Sequence, residues 1–182
     1  FAALATLKRR QNGAITSSLG GVVITRATNQ TIFTLEDLQQ TATIATPGQR
    51  FFGGYQLQAY ELYLHDLPLP RSDQLLEVGS HDAVVASVLG GQAEAGFIRT
   101  TLIEQRLAEG TLHADQLRVI HPQRLSGYPF LLSTRLYPEW AMVALPHLES
   151  GLASRITAAL LSLSADHPAA IAAGIAGFAP PA

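Results

Sequence analysis

The sequence predicts an α/β fold built around a parallel, doubly wound sheet. Three observations point there. Strand-like and helix-like segments alternate four times through the middle of the chain, with short connections between them. The strand-like segments are uniformly apolar instead of alternating, as expected when helices cover both faces of a sheet. Hydrophobic residues make up 47% of the 182 residues and charged residues 14%, enough to fill a sizeable core.

The elements follow in order. Residues from Ala2 to about Gln11 read as helical, with Asn12-Gly13 as the stop. Gly20 to Arg26 is a β-branched strand. Thr34 caps a short helix to Leu38, whose Glu36 and Asp37 complement the helix dipole. A strand from Thr41 to Thr46 ends at Pro47-Gly48, and Phe52-Gly53-Gly54-Tyr55 opens a helix that runs to about His65. After the Leu67–Pro70 loop come a strand at Gln74–Val78 and a helix at His81–Leu89, capped by Ser80 or Asp82 and stopped by Gly90-Gly91. A strand at Ala93–Ile98, a helix at Thr100–Ala108 closed by Gly110, and a strand at Leu117–Ile120 complete the alternation. Beyond Pro122 loop punctuation dominates up to Trp140. Helices then follow at Leu148–Leu163 and His167–Ala173, the latter with Asp166 as its cap and Pro168 in its first turn.

Composition excludes several classes. A net charge of −2 with scattered charges leaves no nucleic-acid footprint, and Lys8-Arg9-Arg10 is too short to form one. The absence of cysteine removes disulfides, thiolate metal sites and cysteine nucleophiles. No apolar run reaches membrane-spanning length, and no signal peptide is visible. The start at Phe1 without methionine, in an apparent mid-helix, and the stop at Pro180-Pro181-Ala182 read as a piece of a longer protein.

Three segments carry candidate chemistry. At Arg50–Tyr55, glycines at a helix start let the backbone approach a ligand, and free amides there favour an anion. The plain alternative is a tight turn with Phe51 and Phe52 in the core. At His81-Asp82 a histidine opening a helix can donate to an anion; alternatively Asp82 caps and His81 is exposed. Arg99-Thr100 follows a strand, beyond whose carboxyl end ligands of open α/β sheets lie, so Arg99 is placed to pair with an oxyanion. The alternative is a surface ion pair of Arg99 with Glu104 or Glu94. Tyr137 to Trp140 line a pocket wall or anchor a loop. His65, His113, His121, His147 and His167 show no ligand-like spacing, so neither a metal nor a cofactor is expected. No Gly-x-Ser-x-Gly elbow or other supported nucleophile is present, and the site reads as a binding site with no catalytic residues.

Together, Phe52-Gly-Gly-Tyr55, Ser80-His-Asp-Ala-Val-Val85, Gly91-Gln-Ala-Glu-Ala-Gly96 and Arg99-Thr100 resemble the phosphonate-binding-like periplasmic proteins. Tyr128-Pro129, Leu136-Tyr-Pro-Glu-Trp140, Ala144-Leu-Pro146 and Ala173-Gly-Ile-Ala-Gly-Phe178 extend the resemblance over almost the whole chain, closest to the branch used as periplasmic sensor domains of histidine kinases of the tetrathionate-sensor type. The resemblance implies the two-lobed, type II periplasmic-binding-protein fold with one lobe only partly present. Residues 1–33 would be part of lobe 1 and a first crossing, 34–121 lobe 2, and 122–182 a second crossing and return to lobe 1. Elements of lobe 1 would lie upstream of Phe1 and beyond Ala182.

By the same resemblance, His81 matches a histidine that holds the oxyanion in phosphonate binders. The family's serine/threonine-rich loop is replaced by Gly48-Gln49-Arg50-Phe51-Phe52-Gly53, which leaves backbone amides, Gln49 and Arg50 as donors. The ligand-binding set is therefore Gln49, Arg50, Phe52, Gly53, Gly54, Tyr55, His81, Asp82, Arg99 and Thr100. The function implied is an extracytoplasmic sensor domain of a two-component histidine kinase, signalling by lobe closure around a small anionic solute. It would reach the membrane, and any homodimer, through segments outside this chain. The alternatives are the solute receptor of a phosphonate-type ABC importer and the effector domain of a transcription regulator.

Overall fold

The computed structural model describes residues 2–182, so Phe1 lies outside the described residues. The chain forms two compact units: one runs up to Leu19 and resumes over Leu136–Ala182, and the other is Gly20–Arg135.

The opening residues of the first unit are strand, not helix. Strand β1 (Ala2–Leu7) is followed by a hairpin of β2 (Arg9–Gln11) and β3 (Ala14–Thr16), then by β4 (Ser18–Leu19). Helix propensity of Ala and Leu is a weak prior that tertiary pairing overrides. Leu4 and Ala5 are buried, and β1 sits at the centre of a three-stranded sheet. Asn12 (φ 45°) and Gly13 (φ 80°) are both left-handed, the geometry of a type I′ hairpin turn and not of a helix stop.

The second unit begins with β5 (Gly21–Arg26), followed by a 3₁₀ turn at Glu36–Gln40. The cap position of this turn is Leu35, not Thr34, and carries no side-chain cap; beside it the Thr34 hydroxyl accepts from Asp37 N, while the Asp37 carboxylate accepts from the amides of Phe33 and Thr34. Next come β6 (Ile44–Thr46), a π-helical turn at Phe52–Gln56 running straight into α1 (Leu57–Leu64), β7 (Leu75–Glu77), α2 (His81–Leu89), β8 (Ala95–Arg99), α3 (Leu102–Ala108) and β9 (Leu117–Ile120).

The sheet order is β7-β6-β8-β5-β9. Strand β6 is parallel to β7 and β8, whereas β5 is antiparallel to both β8 and β9. The sheet is therefore mixed: four strands share one direction and β5 opposes them. The residue pattern could not show this, because β5 is buried on both faces and an apolar run reads alike in either direction.

Both faces are covered, as the alternation predicted. Val22 and Ile24 of β5 join Val84, Val88, Ile98 and Ile103 on one side. Val23 joins Ile32, Leu38, Ile44, Leu62, Phe97 and Ile120 on the other. A Cβ on Gly96 would fall 2.6 Å from Val84 and 2.9 Å from Val88, so that glycine lets α2 lie directly on β8. This packing fixes where the first turn of α2 meets the sheet edge.

The chain then returns to the first unit. Strand β10 (Tyr137–Pro138) pairs with β4, and β11 (Ala141–Ala144) pairs with β1. Helices α4 (Ser150–Leu161) and α5 (Pro168–Ala173) precede β12 (Phe178–Ala179), which pairs with the other edge of β1. The cap of α5 is His167, whose Nδ1 accepts from Ala169 N, and not Asp166. Among the described residues no helix is long and apolar enough to cross a membrane.

Candidate functional site

The carboxyl ends of β6 and β8, the start of β5 and the first turns of α1 and α2 meet at one edge of the mixed sheet. Thr46, at the end of β6, donates its hydroxyl to Gly54 O (2.9 Å) and accepts from Gly48 N (3.2 Å). This folds the Pro47–Phe51 turn back over the strand. A Cβ on Gly54 would lie 2.4 Å from Pro47 Cγ and 2.7 Å from His81 Cε1. Gly54 is thus the point at which the β6 turn and the starts of both helices touch, and only glycine fits.

Ser80 caps α2 by accepting from Ala83 N, which settles the choice between Ser80 and Asp82. His81 Nδ1 accepts from the backbone N–H of Arg99 (3.3 Å), and the Phe51 ring meets the imidazole edge-on at 5.7 Å. An accepting Nδ1 puts the ring proton on Nε2, making that nitrogen a donor. Burial, reinforced by the Arg99 guanidinium and only partly offset by Asp82, pushes the His81 pKa down to about 4. At neutral pH His81 is therefore an uncharged donor, and the positive charge beside it belongs to Arg99.

Gln58 holds the arrangement from below. It is 1% exposed, and its amide nitrogen donates to Ile98 O (2.8 Å) and Gly53 O (3.0 Å), with Val22 O at 3.4 Å. One side chain thus ties β5, β8 and the π-helical turn together. The sequence reading missed it. Its only visible signal is a polar residue on the inward face of α1.

The remaining expected site residues divide. Thr100 is buried and pairs through both its hydroxyl and its N–H with Gly20, so it joins β8 to the start of β5. Gly53 is buried and offers its carbonyl to Gln58. Phe52 is 43% exposed and Phe51 42%, so the reading that placed both in the core does not hold. Gln49 donates to Glu77, and with Arg50, Phe51 and Pro47-Gly48 these residues line a shallow cavity. Tyr55 turns toward Phe97, and burial followed by the Glu77 charge raises its pKa. Asp82 faces outward and pairs with Arg106 (Nε–Oδ1 3.0 Å). Glu94 and Glu104, the carboxylates of the plain reading of Arg99, accept from Ala42 N and Leu131 N respectively.

The fold brings together two histidines that are far apart in the sequence. Glu61, His65 and His121 come together with ligating atoms all within 4.8 Å of one another. The Glu61–His65 pair, four apart on a helix, was visible in the sequence; the approach of His121 was not.

One consequence of the buried imidazoles is measurable. The pKa of His81 in the fold is about 4, and that of His121 is also lowered, by burial and then by His65. The unfolded chain binds protons near the ordinary value of 6.5, so as pH falls from 6.5 toward 4 the unfolded state gains protons that the fold refuses. Stability is full above this window and declines through it. For His81 the decline is about 1–2 kcal/mol, well below the full conversion because the half-buried ring is partly screened by solvent. Urea unfolding at pH 7 and pH 4.5 should show this loss, and His81→Gln should reduce it; an equal loss in both proteins would refute the assignment.

Known proteins resemble the chain in sequence and in fold. The profile of a family described as the periplasmic substrate-binding protein of a phosphonate ABC transporter matches residues 1–182. The tetrathionate sensor histidine kinase TtrS of Salmonella typhimurium is 32% identical over 164 residues, which cover 89% of this chain and 27% of that protein. Among solved structures, XAC2383 of Xanthomonas citri bound to ATP superposes with a TM-score of 0.76 at 19% identity, over 100% of this chain and 65% of that one. A binding-protein component of an ABC phosphonate transporter from Pseudomonas aeruginosa gives a TM-score of 0.63 at 16% identity, over 97% of this chain and 57% of that one. The chain thus spans about a quarter of the sensor kinase and less than two thirds of either solved structure.

Proposed function

Since this chain belongs to the family of periplasmic substrate-binding proteins of phosphonate ABC transporters, we propose that it is an extracytoplasmic sensor domain that binds a small oxyanion at the edge where β6 and β8 end. The observation that carries the binding site is His81. Its Nδ1 is committed to Arg99 N, which leaves Nε2 as a fixed donor beside a guanidinium, between the first turns of two helices. A neutral imidazole donor beside one guanidinium suits an oxyanion, which can accept a charge-assisted hydrogen bond from each.

The kinase context is supported by the 32% identity with the tetrathionate sensor, and membrane tethering through segments of a parent kinase goes with it. The domain itself carries no catalytic role in this reading. The family's own description supports a second reading, solute capture for an importer. In either case the ligand shifts the protein only by the difference in its affinity for the two conformations.

Titration calorimetry of the purified protein against tetrathionate, alkylphosphonates and dicarboxylates tests the site. Saturable binding of one of these classes is expected. Absence of heat and of thermal stabilisation across all three would overturn the proposal. Loss of a ligand-dependent transcriptional response on deleting the gene, with uptake intact, separates sensing from import.

A further inference from the structure

Away from that edge, at the far end of α1, the second unit holds a group of side chains that oxyanion binding does not use. Glu61 lies on α1, His65 follows its last residue, and His121 follows β9. The Glu61 side chain is only 6% exposed, and His65 Nε2 lies 3.5 Å from its Oε1. The His65 and His121 rings meet edge to face at 4.9 Å. The three border a cavity of ≈ 300 Å³ with Gln123, Leu125, Thr134 and Arg135.

We propose that Glu61, His65 and His121 hold a divalent transition-metal ion of the zinc class. Two imidazoles and one carboxylate form a donor set that favours zinc, cobalt or nickel over calcium or magnesium, which prefer oxygen ligands. A tetrahedral ion with bonds of about 2.0–2.2 Å sets its ligand atoms roughly 3.3–3.6 Å apart. The Glu61–His65 pair already has that spacing, and the ligating nitrogen of His121 lies within 4.8 Å of both.

The supporting contacts suit a metal site. Glu61 Oε2 accepts from the backbone N–H of Arg135 (3.0 Å), which orients the carboxylate, while the Arg135 side chain is exposed. His121 has φ 52° directly before Pro122, a left-handed conformation that costs energy and aims its ring at His65. Three protein ligands leave one coordination position to water. The ion would clamp the end of α1 to the exit of β9.

Equilibrium dialysis of the chelator-stripped protein against Zn²⁺ is the test. One equivalent should bind, and Co²⁺ should give visible absorption bands of imidazole coordination. Removing a hydrogen-bond partner of a metal ligand typically costs about 10–100-fold in affinity, so His121→Asn and His65→Gln should each weaken binding by about 100-fold or more. Asparagine tolerates the left-handed backbone at position 121. His113→Gln should bind like the wild type. In the wild-type protein, Zn²⁺ should shift the ring-proton resonances of two of the six histidines, a readout that does not depend on any variant folding. No bound zinc, unshifted histidine resonances, or wild-type affinity in both variants would overturn the proposal.

Discussion

Gln58→Leu is expected to lower the unfolding free energy by about 1–3 kcal/mol, the loss of two buried side-chain hydrogen bonds to backbone carbonyls. The wild-type amide serves Ile98 O and Gly53 O at 2.8 and 3.0 Å, with Val22 O a longer third acceptor. Leucine has a similar volume and is more apolar, so neither a cavity nor a lost hydrophobic contribution confuses the measurement. The change isolates the hydrogen bonds. Urea unfolding curves with an unchanged m-value provide the check. A loss below about 0.5 kcal/mol, within the range of ordinary surface substitutions, would mean that the three backbone segments hold together without Gln58. Oxyanion binding should weaken as well, because Gly53 and Ile98 lie immediately beside the two segments that form the site.

Gln58 also shows what a sequence can and cannot reveal. Helix α2 was legible to the residue, because Ser80 has the side chain that an N-cap needs and Gly90-Gly91 ends the run. Strand β9 was legible because Pro122 bounds a short Leu-Arg-Val-Ile run that ends in two β-branched residues. Such local signals are written into the residues concerned. The value of Gln58 lies largely in carbonyls of β5 and β8, 36 and 40 residues away in the chain, and neither leaves a mark near position 58. The same limit hid the approach of His121 to Glu61 and His65.

Direction and pairing failed for related reasons. An alanine- and leucine-rich opening reads as helix until β11 and β12 take its hydrogen bonds. The apolar run of β5 contains nothing to say that it opposes β8. The Asn12-Gly13 dipeptide, by contrast, was a hairpin signal in plain view, since both residues tolerate the left-handed backbone of a type I′ turn. At the candidate site, the glycines of the turn and a histidine opening α2 were visible as residue types, and the choice of His81 came from the family resemblance. That Asp82 turns to Arg106, and Gln49 to Glu77, depended on partners 24 and 28 residues distant.

His81→Ala and Arg99→Ala should each weaken oxyanion binding by roughly ten- to a hundredfold. Hydrogen bonds to a charged group contribute about 1.5–3 kcal/mol, and each 1.4 kcal/mol is tenfold in affinity. The two substitutions separate by pH. A bound anion favours the protonated imidazole, so the pKa of His81 in the complex lies above its free value of about 4. Between those two values binding takes up a proton, and affinity rises as pH falls through the window; above it, affinity is flat. Arg99→Ala keeps this rise on a weakened baseline, since the guanidinium does not titrate. His81→Ala loses both affinity and the rise. Gly54→Ala should reproduce the loss of affinity without touching a donor, because its methyl group would collide with Pro47 and with the His81 ring. Calorimetry with the best-bound oxyanion at pH 5 and pH 7.5, alongside circular dichroism to verify folding, measures all three. If both single variants bind as tightly as the wild type and keep its pH dependence, the oxyanion does not sit at His81, and the edge formed by β6, β8 and Gly54 serves only to hold the fold together.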